Sequence, residues 1–199
     1  MNGIKEVEDA LKEIENMGAG NASRVMSDLI KKEVRLVVPE IKIVNKSDIA
    51  SIVGGPESMV ICMYSPISGD LSGNVVIAFQ KKEAFKLIDL LEKKDIGSTE
   101  LLEDEGKHQL ENVGLILIRP YLDPLGEFLD IDVHSGKVRV LSTFGRSLSD
   151  FLLLNVKEEN TLLITTNFSV PDANIHGDFA FLLAFSSIQT IINAIKSKL

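Results

Sequence analysis

The sequence contains few of the residues from which disulfides and cysteine- or histidine-built metal sites are made. Its 199 residues include one cysteine, three histidines and no tryptophan. A single cysteine, Cys62, allows neither an internal disulfide nor a cysteine-built metal site, which favours a reducing compartment. The histidines are isolated, and none has a second histidine at the spacing of metal ligands: His108, His134 and His176. We therefore expect this chain to hold no metal and no cofactor.

Long apolar runs and clusters of positive charge are also missing. No uncharged apolar stretch reaches the length of about 18 residues that suggests a bilayer span. The N-terminus lacks the basic start and apolar core of a secretory signal. A formal net charge of −8 disfavours binding to nucleic acid or to anionic membranes, because both require clustered cations. We expect a cytoplasmic protein whose partners are neither nucleic acids nor membranes.

Hydrophobic residues are abundant, at 45%, and they follow helical and extended patterns in an order that occurs twice. The first half predicts, in order, a helix at 4–31, extended segments at 34–38, 41–44, 59–64 and 74–79, and a helix at 82–91. The second half predicts a helix at 101–117, extended segments at 138–141, 162–166 and 177–183, and a helix at 187–196. The clearest internal match pairs Gly73–Phe79 with Gly177–Leu183, since each glycine-led strand precedes a helix.

This repeated order predicts the α+β fold class. We expect a single domain over residues 1–199 with pseudo-twofold symmetry, formed by helix-strands-helix repeats at about 4–92 and 100–199. Helices would cover one face of a largely antiparallel sheet, and no flexible linker separates the halves. Pro120 and Pro124 predict that the first helix of the second repeat ends or kinks near Ile118.

One side of the first helix carries a polar stripe. At about 100° per residue, Asp9, Glu13 and Asn16 lie within about 60° of one another. The apolar residues of the same helix form a stripe roughly opposite: Ile4, Val7, Leu11 and Ile14. An exposed carboxamide can hold a water molecule by donating and accepting hydrogen bonds, and a carboxylate can pair with a cation. Such a stripe is in most proteins merely a solvated helix face.

A weaker copy of the stripe, made of Glu105, Gln109 and Asn112, lies 96 residues further along, measured from Asn16 to Asn112. Gln109 is neutral and, unlike Glu13, cannot pair with a cation.

The run Gly18-Ala19-Gly20 follows directly on the first stripe. It could be mistaken for a phosphate-binding loop, but it follows a helix instead of a strand and lacks the Lys-Ser/Thr ending. We interpret these small residues as positions of close helix packing.

Three strings together resemble the CheC/CheX/FliY phosphatases of chemotaxis, and CheC most closely. They are the spacing Asp9-x-x-x-Glu13-x-x-Asn16, the run Asn16–Ala22 and the segment Val37–Glu40. The resemblance extends over essentially the whole chain. It implies a hydrolase of two-component signalling that removes the aspartyl phosphate of the response regulator CheY.

The resemblance also implies roles for individual residues. Asn16 would enter the regulator's active site and orient a water for attack on phosphorus. Glu13 would pair with a lysine of the regulator, and Asp9 would be a supporting position. In the second copy Gln109 stands where the family has glutamate and cannot form that salt bridge, so the first copy is predicted to be the principal or only active one. The second copy either binds the regulator or serves the structure alone, and the sequence leaves both roles open. The metal would be the regulator's own Mg²⁺, and the deamidase CheD would be a second partner. The alternative is a non-catalytic binding or adaptor module that sequesters CheD or the regulator.

Overall fold

The computed structural model describes residues 2–45, 57–153 and 160–197. The helices are α1 (Asn2–Ile30), α2 (Lys81–Leu91), α3 (Asp104–Leu129), α4 (Gly145–Leu153) and α5 (Phe185–Lys196). The strands are β1 (Arg35–Asn45), β2 (Met59–Gly69), β3 (Gly73–Gln80), β4 (Val133–Ser135), β5 (Arg139–Phe144), β6 (Asn160–Val170) and β7 (Ile175–Ala184). A 3-10 turn, Pro171–Ala173, joins β6 to β7.

The strands form one antiparallel sheet in the order β1-β6-β7-β3-β2, and β2 also pairs with both β4 and β5. Exchanging β1 with β5, β2 with β6 and β3 with β7 gives the same order read backwards. The central pair, β3 and β7, therefore contains the pseudo-twofold axis. The predicted α+β class is confirmed, whereas the limits of the two repeats and the single-domain interpretation remain predictions.

Both faces of the sheet are buried, as strand β2 illustrates. Ile61 and Met63 point into the larger core, which contains residues of α1, α2, α3 and α5. Val60, Cys62 and Tyr64 alternate with them and point into a second apolar cluster, as the two-residue period of a strand requires. The near-continuous apolar run of β2 is the pattern of a strand covered on both sides.

The prediction that helices cover only one face is wrong because of α4. Its residues Leu148 and Leu152 are buried in the second cluster, against Cys62 and its neighbours. The sequence reading did not include this helix, nor the short strand β4. Among the helices of the described ranges, none combines the length and the apolar content that a membrane span requires.

Helix α3 does not end near Ile118, one of the two outcomes that its prolines predicted, but continues to Leu129 with Pro120 and Pro124 inside it. A kink near Ile118, the other outcome, stays a prediction. Each internal proline removes a helical hydrogen bond, a loss on the order of 3 kcal/mol. Burial compensates, because four side chains beyond the first proline face the core. They are Tyr121, Leu122, Leu125 and Leu129.

Strand β1 joins the two extended segments that the sequence placed on either side of Pro39. Its pairing with β6 changes register between Val37 and Glu40, which is where the proline lies. A proline cannot donate to the ladder, and it is tolerated at an edge strand or a bulge. β1 is at the edge of the sheet, so both conditions are met.

Candidate functional site

The polar stripe of α1 faces solvent. Glu13 and Asn16 are exposed, whereas Leu11 and Ile14, predicted to lie opposite, are each only 1% exposed. One helix thus uses one face for the core and leaves an acid and an amide on the other. Asp9 lies in α1 one turn before Glu13. Its side chain, like those of Ile4 and Val7, lies outside the described part of the structure.

The side chains of Glu13 and Asn16 are not engaged by the described part of the protein. Among the residues that the structure describes, neither side chain has a hydrogen-bonding or ion-pair partner. An exposed carboxylate and an exposed carboxamide, three residues apart on one helix face, can both meet a group brought by another molecule.

Close packing at Gly18 fixes the position of α1 on α3. A Cβ atom at Gly18 would lie 2.9 Å from the carbonyl oxygen of Pro120 and 3.0 Å from Cα of Tyr121. Real side chains do not approach a backbone so closely, so this position requires glycine. The interpretation of Gly18 as a position of close helix packing is confirmed.

Tyr121 carries this contact on to the sheet. Its ring centroid lies 4.6 Å from that of Phe179 and 5.7 Å from that of Phe181, both on β7. Gly18 therefore rests on a residue that is itself packed against the centre of the sheet. The backbone of α1, two residues beyond Asn16, is therefore held against the core of the fold.

Serine side chains hold the end of α1. The backbone N–H of Val34 donates to Ser27 Oγ over 2.8 Å, and Ser27 Oγ donates to the Ser23 carbonyl oxygen over 2.8 Å. Ser23 Oγ also donates to the Val34 carbonyl oxygen. These bonds join the last turns of α1 to the residue before β1.

Gly20 differs from Gly18, although both belong to the same small-residue run. A Cβ atom at Gly20 would meet nothing within 4 Å, and the residue is exposed. The prediction of close helix packing is wrong at this position. Helical phase separates the two glycines, because Gly20 follows Asn16 by one turn and shares its exposed face. The interpretation of the run as one unit did not use this phase.

The second copy of the stripe is bonded within itself. Glu105 and Asn112 are exposed and Gln109 is half-buried. Gln109 Nε2 donates to Glu105 Oε1 over 2.8 Å, a pairing that four-residue spacing on a helix permits. Where the first copy has the carboxylate of Glu13, the second has the amide of Gln109, which is already bonded to Glu105.

The two stripes lie toward opposite ends of the α1 and α3 pair. Gly18 of α1 meets Tyr121 of α3, whereas Leu29, at the far end of α1, shares a surface groove with Asn112. The two helices therefore run antiparallel. Leu91 of α2 completes the groove beside the second stripe. The structure places Glu13 beside Asn16 and Gln109 beside Asn112. The two pairs lie apart and do not form one site.

The other reactive groups that the structure describes are not arranged as a site. The Cys62 thiol is buried, and burial raises its pKa to about 12, so it does not act as a nucleophile near neutral pH. His134 Nε2 lies 2.8 Å from Asp132 Oδ1 on the surface. Within the described ranges, no group of three or more histidine, cysteine or acidic residues could hold a metal ion.

Comparison with known proteins gives a family match at the first stripe. The model of the CheC-like family matches residues 6–43. Over 172 residues the chain is 28% identical to the CheY-P phosphatase CheC of Bacillus subtilis, covering 83% of this chain and 82% of that protein. The resemblance to the CheC family, inferred from the strings around Asn16 and before Glu40, is confirmed.

Solved structures show the same fold. The crystal structure of Thermotoga maritima FliY matches with a TM-score of 0.77 at 15% identity, covering 98% of each chain. The CheX-CheY-BeF3-Mg²⁺ complex of Borrelia burgdorferi matches with a TM-score of 0.57 at 13% identity, covering 85% of this chain and 96% of that chain. At these identities the matches concern the fold alone.

Proposed function

We propose that this CheC-like chain is a phosphatase that hydrolyses the aspartyl phosphate of a CheY-like response regulator, and that Glu13 and Asn16 act in that reaction. The observation that carries the proposal is the exposed, unengaged acid and amide on one face of α1. Both residues lie in the segment matched by the family model. Similarity to a CheY-P phosphatase over most of the chain supports the same reaction.

Asn16 suits the positioning of water. Its carboxamide can accept a hydrogen bond from a water molecule and donate one to a phosphoryl oxygen, and it needs no change of protonation to do so. The water attacks phosphorus while the bond from phosphorus to the aspartyl oxygen breaks. The products are inorganic phosphate and a free carboxylate on the regulator. Phosphoryl transfer passes through a loose transition state, so positioning and electrostatics supply most of the rate.

Glu13 suits the binding of a cation on the regulator. Its exposed carboxylate lies on the same helix face as Asn16, one turn earlier, and can pair with a lysine beside the phosphorylated aspartate. Such a pair would fix the register of α1 on the regulator and bring the amide to the phosphoryl group. The Mg²⁺ that neutralises phosphoryl charge would belong to the regulator.

The second copy is proposed to contribute little or nothing to hydrolysis. Gln109 has no charge to pair with a lysine, and its amide is bonded to Glu105. Asn112 retains the amide, which makes it a matched control for Asn16.

Substitution of Asn16 by alanine tests the proposal. We expect Asn16→Ala to lower the acceleration of regulator dephosphorylation by about 100-fold or more, the scale seen when a positioned catalytic donor is removed. Folding should be unaffected, since the side chain is exposed. The measurement is release of inorganic phosphate from regulator phosphorylated with a small phosphodonor, with Asn112→Ala as the control.

The possible results separate the claims. Unchanged rates in both variants would show that the reaction does not use these amides. An equal loss in Asn112→Ala would show that both copies are active. Full activity of Asn112→Ala beside an inactive Asn16→Ala is the expected result.

The alternative is a binding module that sequesters the regulator or CheD without hydrolysis. The observation in its favour is the internally bonded second copy, where the acid-amide pair has already been lost. A parent chain that binds the phosphorylated regulator but leaves its rate of phosphate loss unchanged would establish this alternative. We also propose, from the family resemblance, that the chain binds CheD and is located in the cytoplasm.

A further inference from the structure

Gly20 lies in the middle of α1 without a structural reason of its own. It is not among the described glycines with positive φ, which are Gly69, Gly73 and Gly97. A Cβ atom there would meet nothing within 4 Å. Glycine inside a helix is less favourable than alanine by about 1 kcal/mol. Nothing in the described part of the fold requires this loss.

The helical phase of Gly20 places it beside the acid and the amide. At about 100° per residue it points within about 40° of both Glu13 and Asn16, and it follows Asn16 by one turn. The bare backbone of α1 is therefore exposed directly next to the proposed catalytic amide. Asparagine carries its amide on a single methylene group, so a phosphorylated pocket must come close to the helix backbone to meet it.

The second copy differs at the corresponding position. Ile116 follows Asn112 by four residues, as Gly20 follows Asn16. The isoleucine is half-buried against the core and lines the groove beside Asn112. The two copies therefore differ in shape as well as in charge, because a branched side chain stands where the first copy has none.

We infer that Gly20 is a positioning residue for the regulator. Its missing side chain lets the backbone around the phosphorylated aspartate approach α1 closely enough for Asn16 to reach the phosphoryl group. This inference rests on the proposed function and adds a requirement for shape beside the acid and the amide. By the same argument, the side chain of Ile116 blocks such an approach at the second copy, although Asn112 retains its amide.

Two substitutions separate this role from a role in the helix. Gly20→Ala should raise the melting temperature, because alanine favours the helix and meets no neighbour, yet it should lower kcat/KM for the phosphorylated regulator by about tenfold. Gly20→Ile, which introduces the residue of the second copy, should lower kcat/KM by about 100-fold. A misplacement of about 1 Å at a reacting centre has effects of this size. A residue that served only the helix would show activity and stability changing together.

The controls use the same helix and a second readout. Asp28→Ala, at an exposed position two turns beyond Gly20, should leave kcat/KM at the parent value. Affinity for regulator loaded with beryllofluoride and Mg²⁺ should fall in Gly20→Ile and stay constant in Asp28→Ala. Both Gly20 variants should retain the circular dichroism spectrum of the parent.

Failure of the inference can be distinguished from failure of the proposed function. If the parent chain released no phosphate, both the proposed function and the inference on Gly20 would be overturned. An active parent whose two Gly20 variants retain its kcat/KM would overturn the role of Gly20 and leave the function standing. Loss of activity in Gly20→Ala together with a lower melting temperature would also overturn it, since the glycine would then serve the fold.

Discussion

Glu13 and Gln109 hold corresponding positions on α1 and α3, and their surroundings differ at the scale of single side chains. Glu13 is exposed and has no side-chain partner within the described residues, whereas Gln109 donates to Glu105. The sequence predicted the difference in charge. It did not predict the internal hydrogen bond, because four-residue spacing permits such a bond without requiring it.

Asp89 is a buried carboxylate whose role is structural. Oδ2 accepts from the Gly97 N–H over 2.6 Å, and Oδ1 accepts from Thr99 N over 3.0 Å and from Thr99 Oγ1 over 2.6 Å. Ser98 Oγ donates to Oδ1 over 3.0 Å. These bonds tie the connection between the two halves of the chain to the end of α2. The sequence predicted only that no flexible linker separates the halves.

The titration of Asp89 gives a prediction for stability. Burial raises the pKa of this carboxyl, but hydrogen bonds from Thr99, Gly97 and Ser98 outweigh burial and leave the pKa below its ordinary value. A lowered pKa in the folded state means that the ionised carboxylate stabilises the fold above the pKa of the unfolded chain. That contribution is lost as the pH falls through the folded value.

We therefore expect Asp89→Asn to lower the free energy of unfolding by about 2 kcal/mol near neutral pH, the scale of a lost hydrogen bond to a charged group. The difference from the parent should be constant between about pH 5 and 7 and should shrink below about pH 4. Urea unfolding at several pH values measures it. A difference that grows on acidification would contradict the assignment.

At the scale of elements, α1 and α3 show what sequence patterns can and cannot predict. The bounds of α1 followed from apolar periodicity, since Leu11, Ile14 and Met26 all face the core. The end of α3 did not follow from such a pattern. The free-energy loss from the helical hydrogen bond removed at Pro120 is local, whereas the burial that compensates it depends on packing against strands distant in the sequence. Helix α4 carried a signal in the spacing of Leu148, Phe151 and Leu152, but it is only nine residues long.

The contact between α1 and α3 gives a prediction opposite in sign to that for Gly20. Gly18→Ala places a methyl group 2.9 Å from the Pro120 carbonyl oxygen. We expect a loss of about 1 to 3 kcal/mol from overpacking, larger than the helix propensity gained. Urea unfolding of Gly18→Ala and Gly20→Ala side by side is the measurement. Equal stability changes in the two variants would contradict the difference in their surroundings.

At the scale of the whole molecule, the halves exchange strands. β1 of the first half pairs with β6 of the second, and β5 of the second pairs with β2 of the first. The sequence predicted the repeats, yet no local pattern specifies that each edge strand joins the sheet of the other half. This exchange binds the halves into one sheet and supports the prediction that they fold together.

Cys62 can report on the cooperativity of this sheet. It lies on β2 between Ala78 of β3 and Leu141 of β5, and burial raises the pKa of its thiol to about 12. We expect a thiol reagent at pH 8 to label it only through global unfolding, because β2 joins both halves. The free energy of opening from labelling should equal that from urea. Fast labelling of the folded protein would contradict this.

The proposed catalytic contact is tested most directly by a crystal structure of the chain bound to its response regulator loaded with beryllofluoride and Mg²⁺. The expected structure has α1 inserted at the regulator's active site, with the Asn16 amide beside the beryllofluoride and Glu13 against a lysine. Gly20 should touch the regulator's backbone. A regulator bound elsewhere, with Asn16 still facing solvent, would contradict the proposal.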